Sequence, residues 1–220
     1  ALLLKLLFSG TMLGIHWLTF FIGIKAGGIA MATLGFASFP AFITILERVV
    51  LRDHVNLRSW ILVLVVMLGL FLVSPELDLA NQNTSGLLWG IVSGFAFAAL
   101  AVSNRTYGKI LDSVQVAFWQ NLVVAMISLP FLSLIELHMT PSDWFWLSVL
   151  GTASTALAHF LFVSSLQYIN ARTAGLIIAL EPVYAILVAW PLFGEEPTLK
   201  IIIGGILIIG AAVFPNPKSH

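Results

Sequence analysis

The sequence has 220 residues, of which 60% are hydrophobic and only 9% are charged, and its mean hydropathy is +1.03. A water-soluble domain of this composition would expose large apolar patches, so the solvent of this chain is lipid. Ten cationic and ten anionic side chains give a net charge of zero, which excludes the basic surface that nucleic-acid binding requires, and the lack of cysteine excludes disulfides and Cys-based metal sites.

Hydrophobic segments follow one another along the chain with short polar interruptions, and each approaches the roughly 20 helical residues that cross a bilayer. Glycine, proline, asparagine and charged clusters separate eight of them, which predicts an all-α polytopic transmembrane helical bundle without a separate soluble domain. The first is short unless it takes in residues 2–8. The predicted spans are residues 9–24, 29–51, 59–74, 86–104, 114–136, 144–168, 171–193 and 199–214.

Lysine and arginine predict the orientation, because cytoplasmic loops retain them. With the N-terminus inside, eight cationic residues fall in inner segments, and only Lys25 and Lys200 fall in outer ones. The outer loops 75–85 and 137–143 contain no lysine or arginine. We therefore expect a cytoplasmic C-terminus. The inner cations are Lys5, Arg48, Arg52, Arg58, Arg105, Lys109, Arg172 and Lys218.

An internal repeat appears at an offset of 142 residues, which lays the first three predicted spans on the last three and aligns Pro40 with Pro182. Corresponding spans differ by five in order, an odd number, so the two repeats run in opposite directions across the membrane. Inverted repeats of this kind are typical of secondary carriers. Other matched pairs are Phe20 with Phe162, Ala32 with Ala174, Phe42 with Tyr184 and Asp53 with Glu195.

The fourth and fifth predicted spans have no counterpart before the first three. A complete first repeat would contain two further helices upstream, giving ten helices in a five-plus-five arrangement. We expect the chain to represent such a protein without its first two helices. A native eight-span variant is the alternative.

Three ionisable side chains fall at mid-membrane, where each is a functional candidate because an unpaired charge there is costly. Glu181 lies near the middle of the seventh predicted span beside Pro182, which lacks an N–H and frees a carbonyl one turn earlier. We interpret Glu181 as a substrate contact or a proton-exchanging group. A hydrogen-bonded packing role is the alternative.

The other two ionisable groups are histidines. His159 lies on one face of the sixth predicted span, where spacings of three to four residues form a candidate cavity wall. Under the repeat offset His159 matches Trp17, which follows His16. An interhelical hydrogen bond is the alternative role of each histidine, and neither has neighbours that suggest a metal site. The face of the sixth span contains Thr152, Thr155, His159 and Phe162.

Polar residues of the fifth predicted span, Trp119, Gln120 and Asn121, are candidates for an inner vestibule. Because consecutive helical residues point in different directions, at most two of them can face a cavity. Pro40 and Pro182 are expected to kink their helices.

Small residues recur every four positions in the fourth predicted span. Such a stripe lets the backbones of neighbouring helices approach closely, so it predicts helix packing rather than a binding site. The stripe consists of Gly86, Gly90, Gly94 and Ala98.

Residues 179–196 read ALEPVYAILVAWPLFGEE and precede a glycine-containing helix with Gly204, Gly205 and Gly210. This pattern resembles the ninth and tenth helices of the drug/metabolite transporter superfamily, EamA type. Residues 39–48, FPAFITILER, are similar to the fourth helix of that family. One departure is Arg52-Asp53, which stands where the second repeat has Gly194-Glu195.

The resemblance implies a ten-helix protein of a bacterial inner membrane, with both termini cytoplasmic, that moves small organic solutes such as amino acids, often outward. It assigns residues 1–75 to the last three helices of a first EamA-type repeat and residues 86–215 to a second, five-helix repeat.

We therefore predict a secondary transporter that moves an amino acid or a related amphipathic metabolite by alternating access, in contact with membrane lipid and without a cofactor. The proton is the candidate coupling ion, and both a monomer and a homodimer are compatible with the sequence. No lysine or arginine lies at mid-membrane in the predicted spans, which argues against a strongly anionic substrate.

The alternatives are an intramembrane enzyme and a channel, but His-Glu-x-x-His, Gly-x-Gly-Asp and a charged ring are absent from the sequence. We predict no catalytic residue and no metal ligand. The candidate substrate-binding residues are His16, Trp17, Phe20, Pro40, Trp119, Asn121, Thr155, His159, Phe162, Glu181 and Tyr184.

Overall fold

The computed structural model describes residues 2–73, 81–105, 110–132, 139–169, 174, 178 and 180–213. For residues 212 and 213 it describes the backbone only. Every regular element in these ranges is a helix. They are α1 (Leu2–Phe36), α2 (Phe39–Val49), α3 (Leu57–Val73), α4 (Gln82–Asn104), α5 (Ser113–Leu132), α6 (Pro141–Val149), the π-helix π1 (Leu150–Leu157), α7 (Ala158–Ser165), α8 (Glu181–Phe193) and α9 (Leu199–Val213).

Four of the described segments are long and apolar enough to cross a membrane, and α3, α8 and α9 are shorter apolar helices. The prediction of an all-α polytopic membrane bundle is confirmed. Several predicted features lie outside the described residues in whole or in part. They are the outer loop 75–85, most of residues 171–179, and the inner cations Lys109, Arg172 and Lys218. The four long segments are Leu2–Phe36, Gln82–Asn104, Ser113–Leu132 and Pro141–Ser165.

Helix α1 is a hairpin rather than one straight rod. Gly28 has non-helical angles, φ 83° and ψ 172°, which glycine adopts without a Cβ clash. A straight helix would separate His16 from Phe36 by about 30 Å at 1.5 Å per residue, whereas their ring centroids lie 5.0 Å apart. The chain therefore reverses at Gly28. Residues 2–27 form the first arm of the hairpin, and residues 29–36 form the second. The reversal lies at the predicted boundary between the first two spans.

Pro40 and Pro182 begin helices instead of kinking them, which corrects the sequence prediction. Each lies in the first turn of its helix, α2 or α8, one position after the first helical residue. A proline is well tolerated there because the first-turn N–H has no partner within the helix. The second predicted span is consequently broken at Ala37 and Ser38, where the Ser38 hydroxyl donates to the Gly35 carbonyl at 2.7 Å.

The loops after α2 and α8 also correspond at the 142-residue offset. Arg52 has φ 57° and Gly194 has φ 71°, so both take the left-handed conformation. Arginine in this region is strained by roughly 1 kcal/mol or more, which glycine avoids. Arg52 therefore takes the place that glycine has in the second repeat, and the left-handed turn is the same in both loops.

Helix α4 packs directly on the backbone of the α1 hairpin. A methyl group added at Gly86 would lie 2.6 Å from the Cα of Gly27, and one at Gly90 would overlap the Ala32 carbonyl oxygen. One at Gly94 would lie 2.8 Å from the Phe36 carbonyl oxygen. The small-residue stripe thus packs helices closely, as predicted.

By contrast, the segment formed by α6 and π1 buries none of its residues. Thr140 begins it with a capping box, in which its hydroxyl accepts from the Asp143 N–H at 3.3 Å and the Asp143 carboxylate accepts from the Thr140 N–H at 2.8 Å. Helix α7 then carries His159, which is buried. Burial in this part of the chain therefore begins in α7.

Candidate functional site

An aromatic cluster lies where both arms of α1 meet α4 and α7. The His16 ring is 5.0 Å from the rings of both Phe36 and Phe97, measured between centroids. Phe97 in turn lies 4.9 Å from Phe162, and Phe20 lies 5.7 Å from Phe36. These separations are typical of favourable aromatic pairs. Side chains far apart in the sequence therefore form one aromatic wall.

His16 is held by a reciprocal pair of hydrogen bonds to α4. The Ser93 hydroxyl donates to the His16 carbonyl oxygen at 3.0 Å, and His16 Nδ1 lies 2.7 Å from the same hydroxyl oxygen. A serine hydroxyl has one hydrogen, so the second bond needs the histidine N–H as its donor. The pair therefore places the proton on Nδ1 and leaves Nε2 without it in a neutral ring.

His159 belongs to a buried polar network that joins α1, α4, α5 and α7. Its Nε2 lies 2.9 Å from Gln120 Oε1, while Gln120 Nε2 donates to Asn104 Oδ1 at 2.6 Å and to Ser9 Oγ at 2.8 Å. Gln120 and Ser9 are fully buried. An amide oxygen only accepts, so His159 donates from Nε2 and a neutral ring keeps Nδ1 as an acceptor.

Replacing Gln120 by leucine is expected to destabilise the protein by about 1–3 kcal/mol, because the buried His159 N–H and the Asn104 carbonyl oxygen lose their partner. Thermal unfolding of the purified full-length protein in lipid nanodiscs measures this loss. Asn121→Leu is the matched control, since among the described residues Asn121 donates only to Ala117 of its own helix, at 2.8 Å. Equal losses in the two variants would contradict the network's role.

A cavity of ≈ 930 Å³ opens beside the aromatic cluster, between α1, α4, the π1–α7 segment and the start of α8. Its volume suits a small organic molecule. Seven candidate binding residues predicted from the sequence line it, namely His16, Trp17, Phe20, Thr155, His159, Phe162 and Glu181.

Glu181 lies in the first turn of α8, not in the middle of a helix, and it also lines a second cavity of ≈ 540 Å³. The second cavity includes Ile29 of the α1 hairpin and Tyr184, which is otherwise exposed. Tyr184 is therefore near Glu181 but not on the wall of the larger cavity.

Pro40, Trp119 and Asn121 do not line the larger cavity, and their role in substrate binding stays a prediction. Trp119 is 43% exposed, and its ring packs on neighbouring Phe118 at 5.5 Å, so it points outward from the bundle. Asn121 bonds back to its own helix, and Pro40 lies in the first turn of α2. Of the three consecutive polar residues in α5, Gln120 faces inward.

Sequence reasoning missed Ser93, Phe36 and Phe97 as parts of the site. Ser93 and Phe97 are four residues apart and so share one face of α4. Their positions beside the small-residue stripe that includes Gly94 would have been a usable signal. Phe36 had no such signal, because its place depends on the hairpin at Gly28.

Comparison with known proteins agrees with this architecture. The sequence profile of the EamA-like transporter family matches residues 1–74 and 84–216. The chain belongs to this family. The predicted resemblance to drug/metabolite transporters of the EamA type is confirmed, and the family and its named relatives are transporters, not enzymes.

Curated relatives of this EamA-family chain come from bacteria and an archaeon. An uncharacterized transporter of Bacillus subtilis, YdfC, is 24% identical over 90% of this chain and 66% of its own length. An uncharacterized transporter of Archaeoglobus fulgidus is 27% identical, over 89% of this chain and 70% of its own. An S-adenosylmethionine uptake transporter of Rickettsia felis is 25% identical, over 87% and 64%. The chain thus spans about two thirds of the length of these relatives.

A solved crystal structure has the same fold, with a TM-score of 0.66 and 18% sequence identity over 94% of this chain and 73% of the other. At this identity the likeness shows the fold alone. The EamA-family chain is accordingly an integral membrane protein with a helical bundle fold.

Proposed function

We propose that this EamA-family protein is a secondary transporter that moves a small organic metabolite, an amino acid or a related amphipathic solute, across the bacterial inner membrane. The observation that carries the proposal is the ≈ 930 Å³ cavity, with its aromatic wall and few polar groups. Pockets of this kind bind small molecules by apolar contact and use a few polar groups for orientation. The S-adenosylmethionine uptake transporters among the relatives support a small organic solute.

Alternating access is the proposed mechanism, with residues 1–75 as the last three helices of a first repeat and residues 86–215 as a second, inverted repeat of five helices. The α1 hairpin and α4 share backbone contacts and would move as one unit. The α6–π1 segment, which buries no residue, would move relative to that unit and open or close the cavity. Motion of one bundle against another around a central site is the general behaviour of inverted-repeat carriers.

The direction of transport is proposed to be export. A comparison of metabolites released by cells with and without the full-length protein identifies the solute, and flux of that solute into proteoliposomes then tests transport directly. We expect one small organic solute to accumulate outside the expressing cells and to cross the reconstituted membrane. Absence of any protein-dependent flux would overturn the proposal.

The proton is the proposed coupling ion, with Glu181 as the exchanging group. In the full-length protein Glu181→Gln is expected to abolish the dependence of flux on an imposed pH gradient, because glutamine cannot release a proton. His16 and His159 are the other titratable groups on the described cavity wall. Glu196→Gln, in the exposed loop after α8, is the matched control. Unchanged pH-driven flux in Glu181→Gln would eliminate this role.

A further inference from the structure

The two histidines on the cavity wall offer hydrogen-bond acceptors rather than donors. The His16 N–H donates to the Ser93 hydroxyl oxygen, and the His159 N–H donates to the Gln120 side-chain oxygen. A neutral imidazole has one donor and one acceptor nitrogen. Each neutral ring on the cavity wall therefore keeps one unprotonated nitrogen and has no N–H left for a ligand. It can accept a hydrogen bond from a ligand but cannot donate one.

The other polar lining groups include acceptors and neutral donors, since the Trp17 indole N–H and the Ser154 and Thr155 hydroxyls can donate. Glu181 contributes a carboxyl group, which as a carboxylate only accepts. The Ser165 hydroxyl donates to the Phe162 carbonyl at 2.7 Å, which leaves its oxygen as an acceptor. Among the described lining residues there is no lysine and no arginine. An anionic ligand would therefore find neutral donors but no cationic partner among the described residues of this wall.

Aromatic faces supply the remaining attraction. Trp17, Phe20, Phe36, Phe97 and Phe162 line the same cavity as Glu181. The π-face of an aromatic ring is electron-rich and attracts a cation, most strongly when water is excluded. The same rings also bury an apolar or aromatic body by ordinary hydrophobic contact.

We infer that the cavity selects an organic ammonium ion with N–H donors on an apolar or aromatic body, in preference to neutral and anionic molecules of the same shape. The ammonium group donates to Glu181 and to the bare histidine nitrogens, while its body packs on the aromatic wall. This inference rests on the proposed function and narrows its substrate class from amphipathic solutes to amines.

Three probes that share a phenyl body and differ in charge test this selectivity. They are phenethylamine, phenethyl alcohol and 3-phenylpropionate, whose binding to the full-length protein in nanodiscs is measured by calorimetry. We expect phenethylamine to bind at least about tenfold more tightly than the other two, since a charged hydrogen bond and cation–π attraction both favour it. Equal or tighter binding of the alcohol or the carboxylate overturns the inference.

Variants then assign the preference to the cavity. Glu181→Gln is expected to weaken phenethylamine binding about tenfold and to leave binding of the alcohol unchanged. Glu196→Gln, outside the cavity, should change neither. A uniform loss of all three ligands in Glu181→Gln contradicts the assignment, and the ranking in the unsubstituted protein does not depend on how that variant folds.

Failure of this inference is distinguishable from failure of the proposed transport. If proteoliposomes carry a neutral or anionic metabolite and the ammonium preference is absent, transport stands and the selectivity is wrong. If phenethylamine binds with the expected preference but no solute crosses the membrane, the selectivity stands and the proposed transport is wrong.

Discussion

Replacing Gly90 by alanine is expected to lower the free energy of unfolding by about 1–3 kcal/mol, and replacing it by leucine should prevent the bundle from assembling. The added methyl group would overlap the Ala32 carbonyl oxygen, and the next closest groups are also main-chain atoms, those of Gly35 among them. Because these neighbours are main-chain atoms, no change of side-chain rotamer can make room for the methyl group. Thermal unfolding of the full-length protein in nanodiscs and its elution on gel filtration measure the two effects.

Gly210→Ala is the matched control for this prediction. Gly210 also lies in a helix, α9, but no described atom comes within 4 Å of a methyl group placed there. Alanine favours a helix over glycine by about 1 kcal/mol, so this variant should be as stable as the parent or slightly more so. If both alanine variants shift the unfolding temperature in the same direction, the packing role of the stripe is wrong.

Removing the Glu195 carboxylate is expected to open the junction between α8 and the α1 hairpin. Glu195 Oε1 accepts from the Ile29 N–H at 3.0 Å, and Oε2 accepts from the Ala30 N–H at 3.1 Å. The carboxylate thus caps the second arm of α1 directly after the turn at Gly28. Each hydrogen bond to a charged group contributes roughly 1.5–3 kcal/mol, so losing both shifts the opening equilibrium by about a hundredfold or more.

Cysteine labelling measures this opening without background from these 220 residues, which include no cysteine. A cysteine at the buried position Ala30 should react about ten times faster in Glu195→Gln and about a hundred times faster in Glu195→Ala, because the two variants lose one and two acceptors respectively. Glu196→Gln is the control and should leave the rate unchanged. Identical rates in all four proteins would show that the cap does not hold the junction.

Features that depend on local periodicity could be predicted from the sequence. The stripe of Gly86, Gly90 and Gly94 packs as its four-residue spacing indicated, because helical periodicity places these residues on one face whatever the partner. His159 and Phe162 line the cavity for the same reason. Hydropathy likewise predicted the membrane bundle, because a chain segment that crosses lipid must satisfy its backbone hydrogen bonds internally, as a helix does.

Features that depend on distant contacts could not be predicted in this way. Gln120 was one of three consecutive polar residues, and only the packing of α5 against α1 and α4 shows that it, rather than Trp119 or Asn121, faces inward. Pro40 was expected to bend a helix, whereas tertiary structure breaks the chain two residues earlier and lets the proline begin a new one. Periodicity carries no information on either choice.

The lack of buried residues in the α6–π1 segment has a practical consequence for handling the protein. That segment supplies Gly151, Ser154 and Thr155 to the cavity wall, yet the described neighbours enclose little of its surface. In a bilayer, apolar side chains that no protein covers are solvated by acyl chains, so the surrounding amphiphile would form part of the wall wherever this segment faces lipid. A short-chain detergent that leaves the tightly packed α1–α4 pair intact is therefore expected to weaken the support of this side of the cavity, so ligand binding should be measured in a bilayer.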